Sequence, residues 1–200
     1  MDYFIYSDDE LGYLKSRDNV LKDIIESIGL IKRSVNKDPF QSLISSVISQ
    51  QISTKAAVTV KERLYNLTDG LNITKLNDIN IEELKQCGMS YRKAEYIKGI
   101  IDSKLENKIN FDSLESMSDE EIIKLLTSLR GVGKWTVEML LIFSLNRKNI
   151  LSYDDLGIRR GITKAYNLES IDKKEFEKFR EIYSPYCSIA SLYLWEVSAK

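Results

Sequence analysis

Between Val137 and Leu145 seven of nine positions are apolar: Val137, Met139, Leu140, Leu141, Ile142, Phe143 and Leu145. A helix with so little polar face has no stable place on a surface, so the pattern predicts a buried central helix over 135–145 with the other elements packed around it. The rest of the chain can supply that packing. It has two prolines and nine glycines in 200 residues, and 43% of it is hydrophobic. Apolar residues recur at spacings of three and four, which reads as an all-α chain; no run alternates as a strand would.

Taken in order, the acidic opening to about Asp18 reads as irregular, and Asn19–Ile28 as a helix stopped by Gly29. Asp38-Pro39 opens the next helix, with proline where its missing N–H costs nothing. Phe40, Leu43, Ile44, Val47 and Ile48 form one apolar stripe on it. Gln51 is the next position on that stripe, so its side chain either satisfies local backbone or projects beyond the core. Ser53 to Leu64 is a further helix, and Thr68 to Asn80 a polar link. Two helices, Ile81–Cys87 and Tyr91–Leu105, meet at Gly88-Met89-Ser90. Ser118 with Glu121 makes a capping box for Asp119 to Ser128. Asp154 or Asp155 caps a helix running to about Ala165. Asp172 with Glu175 opens another, and Cys187 to Val197 closes the chain.

Composition removes several chemistries. There is no histidine, and the two cysteines, Cys87 and Cys187, lie far apart. The usual zinc sites and any Ser-His or Cys-His nucleophile are therefore excluded, which leaves carboxylates, lysines and tyrosines for proton transfer. No apolar run reaches the roughly 20 residues of a membrane span, and the start lacks the order of a secretion signal, so the expected location is the cytoplasm without membrane attachment. The net charge of -1 argues mildly against nucleic-acid binding, but it hides a gradient. Residues 1–30 carry three basic against seven acidic side chains, whereas 121–165 carry eight against four.

That basic stretch holds the candidate site. In Leu129–Arg160, Gly131-Val132-Gly133 forms a pinched turn whose backbone N–H groups, with the start of the following helix, suit an anion such as phosphate. Asp154 and Asp155 follow about twenty residues later at a helix start. Taken singly, a two-glycine turn, a capping acid, and the aromatics Trp135, Tyr153 and Tyr186 all have ordinary structural readings.

Their order and company resemble the helix-hairpin-helix DNA glycosylase superfamily, most closely its 3-methyladenine DNA glycosylase II branch. The resemblance runs from about Asp38 to Trp195 and rests on four patches: PFQSLISSVISQQISTKAA, LRGVGKWTVEMLL, DDLGIRRG and YSPYCSIASLYLW. It implies a two-lobed helical fold with an active-site cleft between the lobes. Residues 37–146 would form the lobe bearing the hairpin, and 1–36 with 147–200 the second. The activity implied is hydrolysis of the N-glycosidic bond of an alkylated purine in double-stranded DNA, by base flipping, in base excision repair. The same fold acting on deaminated or oxidised bases, or a non-catalytic DNA-binding module, are the other readings.

By this resemblance Asp155, the acid directly before Leu-Gly, matches the catalytic carboxylate, which the helix dipole keeps ionised. Gln51 matches the side chain that fills the space left by the flipped base. Trp135, Tyr186 and Met139 match the base pocket, with Met139 standing where close relatives have an aromatic. Gly131, Val132, Gly133, Lys134 and Thr136 match the phosphate-binding hairpin. Relatives that also cut the strand carry a lysine where this chain has Trp135, so a monofunctional enzyme is implied. The four cysteines of an iron-sulfur cluster are missing, and no cofactor is expected. Some relatives hold a cation among the hairpin carbonyls, but nothing here selects a metal. A monomer is expected. Cys187 stands where the family often has arginine.

Overall fold

The computed structural model describes residues 2–200. Its helices, in chain order, are α1 (Asp8–Arg17), α2 (Asn19–Ile28), α3 (Pro39–Ser49), α4 (Thr54–Thr68), α5 (Ile73–Asp78) and α6 (Ile81–Gln86). They continue with α7 (Tyr91–Leu105), α8 (Asp119–Leu126), α9 (Lys134–Phe143), α10 (Leu156–Ala165), α11 (Lys173–Tyr183) and α12 (Cys187–Ala199). The only extended pairing among the described residues is a two-residue antiparallel ribbon, β1 (Asp2–Tyr3) on β2 (Ser34–Val35). The all-α reading of the sequence holds. No helix of the described residues is long and apolar enough to cross a membrane.

Local chemistry explains both the agreements and the corrections. The acidic opening is helical rather than irregular: Ser7 and Glu10 form a reciprocal capping box, with Asp8, Asp9 and Glu10 at the positive end of α1 and Lys15 and Arg17 at its negative end. The link at 68–80 contains α5, whose first turn is capped by the Asn72 side chain. The boxes at Ser118/Glu121 and Asp172/Glu175 are formed as their spacing requires. Helix α3 stops at Ser49, so Gln51 lies beyond the helix and not on its stripe, in a left-handed conformation with φ 55°. The central apolar helix begins one residue before the expected start and ends two before the expected end.

The chain divides into two compact units, residues 36–140 and residues 1–35 with 141–200. In the first, the buried face of α3 (Phe40, Leu43, Ile44, Val47 and Ile48) packs with α4 and α7, and the Phe40 and Phe111 rings meet edge-on at 5.2 Å. The helix pairs α6–α7 and α8–α9 each turn on a glycine with positive φ, Gly88 at 100° and Gly131 at 82°. In the second unit α12 is the buried element, with Cys187 to Leu194 all inside and α10 and α2 packed on it. Gly161 of α10 faces the backbone of α12 so closely that an added Cβ would lie 2.2 Å from the Leu194 carbonyl oxygen.

That contact generates a stability prediction. Gly161→Ala forces the two helices apart and costs about 2 kcal/mol, the middle of the range for overpacking a core. Thermal unfolding should show a midpoint several degrees lower, and an unchanged midpoint would mean the helices separate freely.

Candidate active site

The acid-bearing element is built from its backbone upward. Asp155 N-caps α10: its Oδ1 accepts from the Ile158 N–H at 2.9 Å. Of the two candidate caps it is therefore Asp155, only 7% exposed, that takes the role, while Asp154 is exposed. A second donor reaches the same oxygen, the Trp195 indole Nε1–H at 3.0 Å. The Phe143 ring lies against Trp195 at 5.5 Å with a tilt of 31°. Gly157 leaves room for this arrangement, because a Cβ there would come within 2.8 Å of Trp195 Cδ1 and 3.1 Å of Asp155 Oδ1.

The segment entering Asp155 is fixed by side chains from α11 and α12. The Ser188 hydroxyl accepts from Ile150 N–H at 2.9 Å, and the Ser188 N–H donates to the Lys148 carbonyl at 2.9 Å. Arg180 Nη2 donates to the Leu151 carbonyl at 2.6 Å. The Asp155 N–H then donates to Ser152 at 3.3 Å. Tyr153 packs edge-on against Phe176, and the Arg159 guanidinium lies over the Tyr153 ring, 5.2 Å from its centroid. Tyr186 is half-buried, its ring edge-on to Tyr13 at 5.3 Å. Its neighbour Cys187 is fully buried, and burial pushes the thiol up to about 12.

In the unit of residues 36–140 the hairpin lies between α8 and α9. Gly131 needs to be glycine twice over: its φ is 82°, and a Cβ would fall 2.1 Å from the Tyr96 ring. Gly133 is different from the expectation for both glycines. Its φ is not positive and nothing lies within 4 Å of the place of a Cβ, so it leaves open space beside the first turn of α9. Val132 and Thr136 are buried, anchoring the turn from within, and the exposed Lys134 lies 3.5 Å from the buried Glu138. Met139 is 9% exposed.

An open cavity of about 580 Å³ brings several of the singled-out residues together. Gln51, Gly133, Trp135 and Thr136 line it, with Ser45, Ser46, Ser49, Gln50 and Lys61; Met139 does not. Trp135 is 40% exposed, unusual for a ring on an otherwise buried helix. Gln50 and Lys93 went unrecognised in the sequence. The Gln50 amide donates to the Gly131 carbonyl at 3.1 Å, so one hairpin carbonyl is already engaged. Lys93 Nζ donates to the Ile48 carbonyl at 2.8 Å and to that of Gln50, and burial lowers its pKa. Burial also lowers that of Lys61. Gln50 and Lys93 reach partners on other elements, which spacing along the chain does not report. Among the described residues, no three or more Cys, Asp or Glu side chains gather as for a metal ion.

Comparison with known proteins agrees with this architecture. The model of the HhH-GPD superfamily base excision DNA repair proteins matches residues 44–185. The chain belongs to that superfamily. This HhH-GPD protein is 35% identical over 194 residues to DNA-3-methyladenine glycosylase 1 of Schizosaccharomyces pombe, covering 93% of this chain and 85% of that one. A crystal structure of a DNA-3-methyladenine glycosidase from Bacillus halodurans matches it with a TM-score of 0.89 at 33% identity, covering 100% of this chain and 94% of that one. The S. pombe 3-methyladenine DNA glycosylase in complex with abasic DNA matches with a TM-score of 0.84 at 33% identity, over 96% and 97% of the two chains.

The two hairpin glycines should respond differently to the same substitution. Gly131→Ala meets the Tyr96 ring and an unfavourable φ, and should lower stability by about 2 kcal/mol or more. Gly133→Ala should leave the unfolding free energy within about 0.5 kcal/mol of wild type, as for other open positions. Equal losses in denaturant titrations would contradict the difference in their surroundings.

Proposed function

We propose that the protein is a monofunctional DNA N-glycosylase that excises alkylated purines, 3-methyladenine in type, in base excision repair. Its partner is double-stranded DNA carrying a damaged base, on which it acts as a monomer. The observation that carries the reading is Asp155: a nearly buried carboxylate held by two N–H donors at the start of α10. It belongs to a chain resembling proteins named as 3-methyladenine glycosylases along almost its whole length.

The chemistry follows from named groups. The damaged nucleotide leaves the stack at a cost of a few kcal/mol, lowest where pairing is already weakened. Gln51, exposed at the turn after α3, fills the vacated space. The amides of the first turn of α9, Lys134 to Thr136, entered through the Gly131-Val132-Gly133 turn, hold the phosphate beside it, and Lys134 adds charge. The flipped base stacks on Trp135 and Tyr186, for about 1–3 kcal/mol per base, and a cationic methylated purine gains further from the ring faces. Asp155 then stabilises the cationic sugar as the glycosidic bond breaks, and orients or deprotonates the attacking water. Water forms the new bond to the sugar, and the base departs with the electron pair. Trp135 occupies the place a Schiff-base lysine would need, so the product is an abasic site in an uncut strand.

Methylated duplex incubated with the protein should release 3-methyladenine or 7-methylguanine, with strand breaks only after alkali. Asp155→Asn should lower release by about 10² to 10⁴-fold, the span of general-base catalysis, with duplex affinity retained. Asp154→Asn should be milder. Binding without release of any alkylated base would leave a binding module or a different lesion. Covalent trapping by borohydride would overturn the assignment of a single chemical step.

A further inference from the structure

Trp195 lies forty residues from Asp155 in sequence, in the second half of α12, yet its indole N–H meets the same carboxylate oxygen as the helix-capping amide. Two donors converging on Oδ1 from different directions fix the rotation of the carboxylate as well as its position. A cap alone fixes one direction only. The surroundings hold the indole to this task. Phe143 lies along one face of the ring, and the Gly157 backbone passes so close that any side chain there would displace the ring or the carboxylate. The approach of α10 to α12 at Gly161 and Leu194 sets the register one residue before Trp195. A tryptophan is also the one large apolar side chain that can line such a contact and still donate a hydrogen bond in a fixed direction.

We propose that Trp195 is a positioning residue that sets the orientation of the Asp155 carboxylate for glycosidic bond cleavage, with Gly157 supplying the space this requires. The inference rests on the reading of Asp155 as the catalytic carboxylate. Trp195 touches no reacting atom in this scheme. Its effect is on how often the carboxylate stands in the productive geometry, so it belongs to the rate of the chemical step and not to DNA affinity.

Trp195→Phe keeps most of the ring and removes the N–H. In single-turnover excision from methylated duplex by the full-length protein, the maximal rate should fall about tenfold, a modest part of what misplacing a catalytic group can cost. The protein concentration giving half the maximal rate, and the affinity for abasic duplex, should stay within about twofold, since a carboxylate-orienting bond acts only on the chemical step. Gly157→Ala should give the same split by pushing the indole off Oδ1, and serves if Trp195→Phe does not fold. A folded Trp195→Phe or Gly157→Ala variant with the wild-type maximal rate would overturn the proposal. So would a loss confined to DNA affinity, which would make Trp195 part of the framework only. Failure of the wild type to release any base is a separate outcome: it would remove the catalytic reading of Asp155, and this inference with it.

Discussion

The close approach of α10 to α12 is the constraint on which the acid-bearing unit depends. Because Gly161 has no side chain, the α10 backbone reaches the Leu194 carbonyl, and that contact fixes where Trp195 lies relative to the start of α10. Trp195 of α12 then donates a hydrogen bond to Asp155, the residue that caps α10. Helix α12 also reaches the segment leading to the acid, through Ser188 and Ser191 on the Ile150 backbone. One buried helix thus holds the carboxylate from both sides in sequence. Polar groups inside that helix would be costly unless bonded, and these serines are bonded.

The unit of residues 36–140 solves a related problem, presenting an open backbone turn without letting it collapse. Tyr96 lies beneath Gly131, and Gln50 holds the Gly131 carbonyl. Lys93, from α7, in turn holds the carbonyls of Ile48 and Gln50 at the end of α3. The turn that carries Gln51 and the turn that carries Gly133 are thereby tied into one network. Burying a lysine to do this works against its charge, as the lowered pKa records, and the carbonyl acceptors offset that cost. A turn supported in this way keeps its backbone fixed without a ligand, so little ordering would remain to be done if it binds an anion.

Much of this was legible in the sequence, and the parts that were not share a physical reason. The caps at Ser118 and Asp172 are local, encoded within three residues, and can be read directly; that of α10 is legible only as Asp154 or Asp155. The glycine stop after Ile28 and the proline entry at Pro39 are equally local. Helix α1 was missed because its capping box lies in a stretch whose overall acidity suggested solvent, although acids in a first turn favour a helix. The position of Gln51 was misjudged because periodicity continues on paper past Ser49, where the backbone turns left-handed. Gln50, Lys93, Ser188, Arg180 and Trp195 act over separations of roughly thirty to eighty residues, which no spacing rule reports. The two glycines of the hairpin look alike in sequence and differ only in what surrounds them.

That difference bears on what the cavity beside α9 is suited to hold. A tryptophan left 40% exposed gives up hydrophobic burial, at roughly 25 cal/mol per Å² of apolar surface, that the apolar positions of α9 from Val137 onward obtain. Two residues before it, Gly133 is exposed, with nothing within 4 Å of the place of a Cβ. A flat apolar ring and an open set of helix-start amides, two residues apart on one cavity wall, suit a ligand that is both planar and anionic. A nucleotide has that pair of features in one molecule, its base for the ring and its phosphate for the amides. An amphipathic peptide would have no use for the amides, and a simple anion none for the ring. The exposure of Trp135 and the bareness of Gly133 are each costly or idle alone, and become explicable together when the partner is nucleic acid.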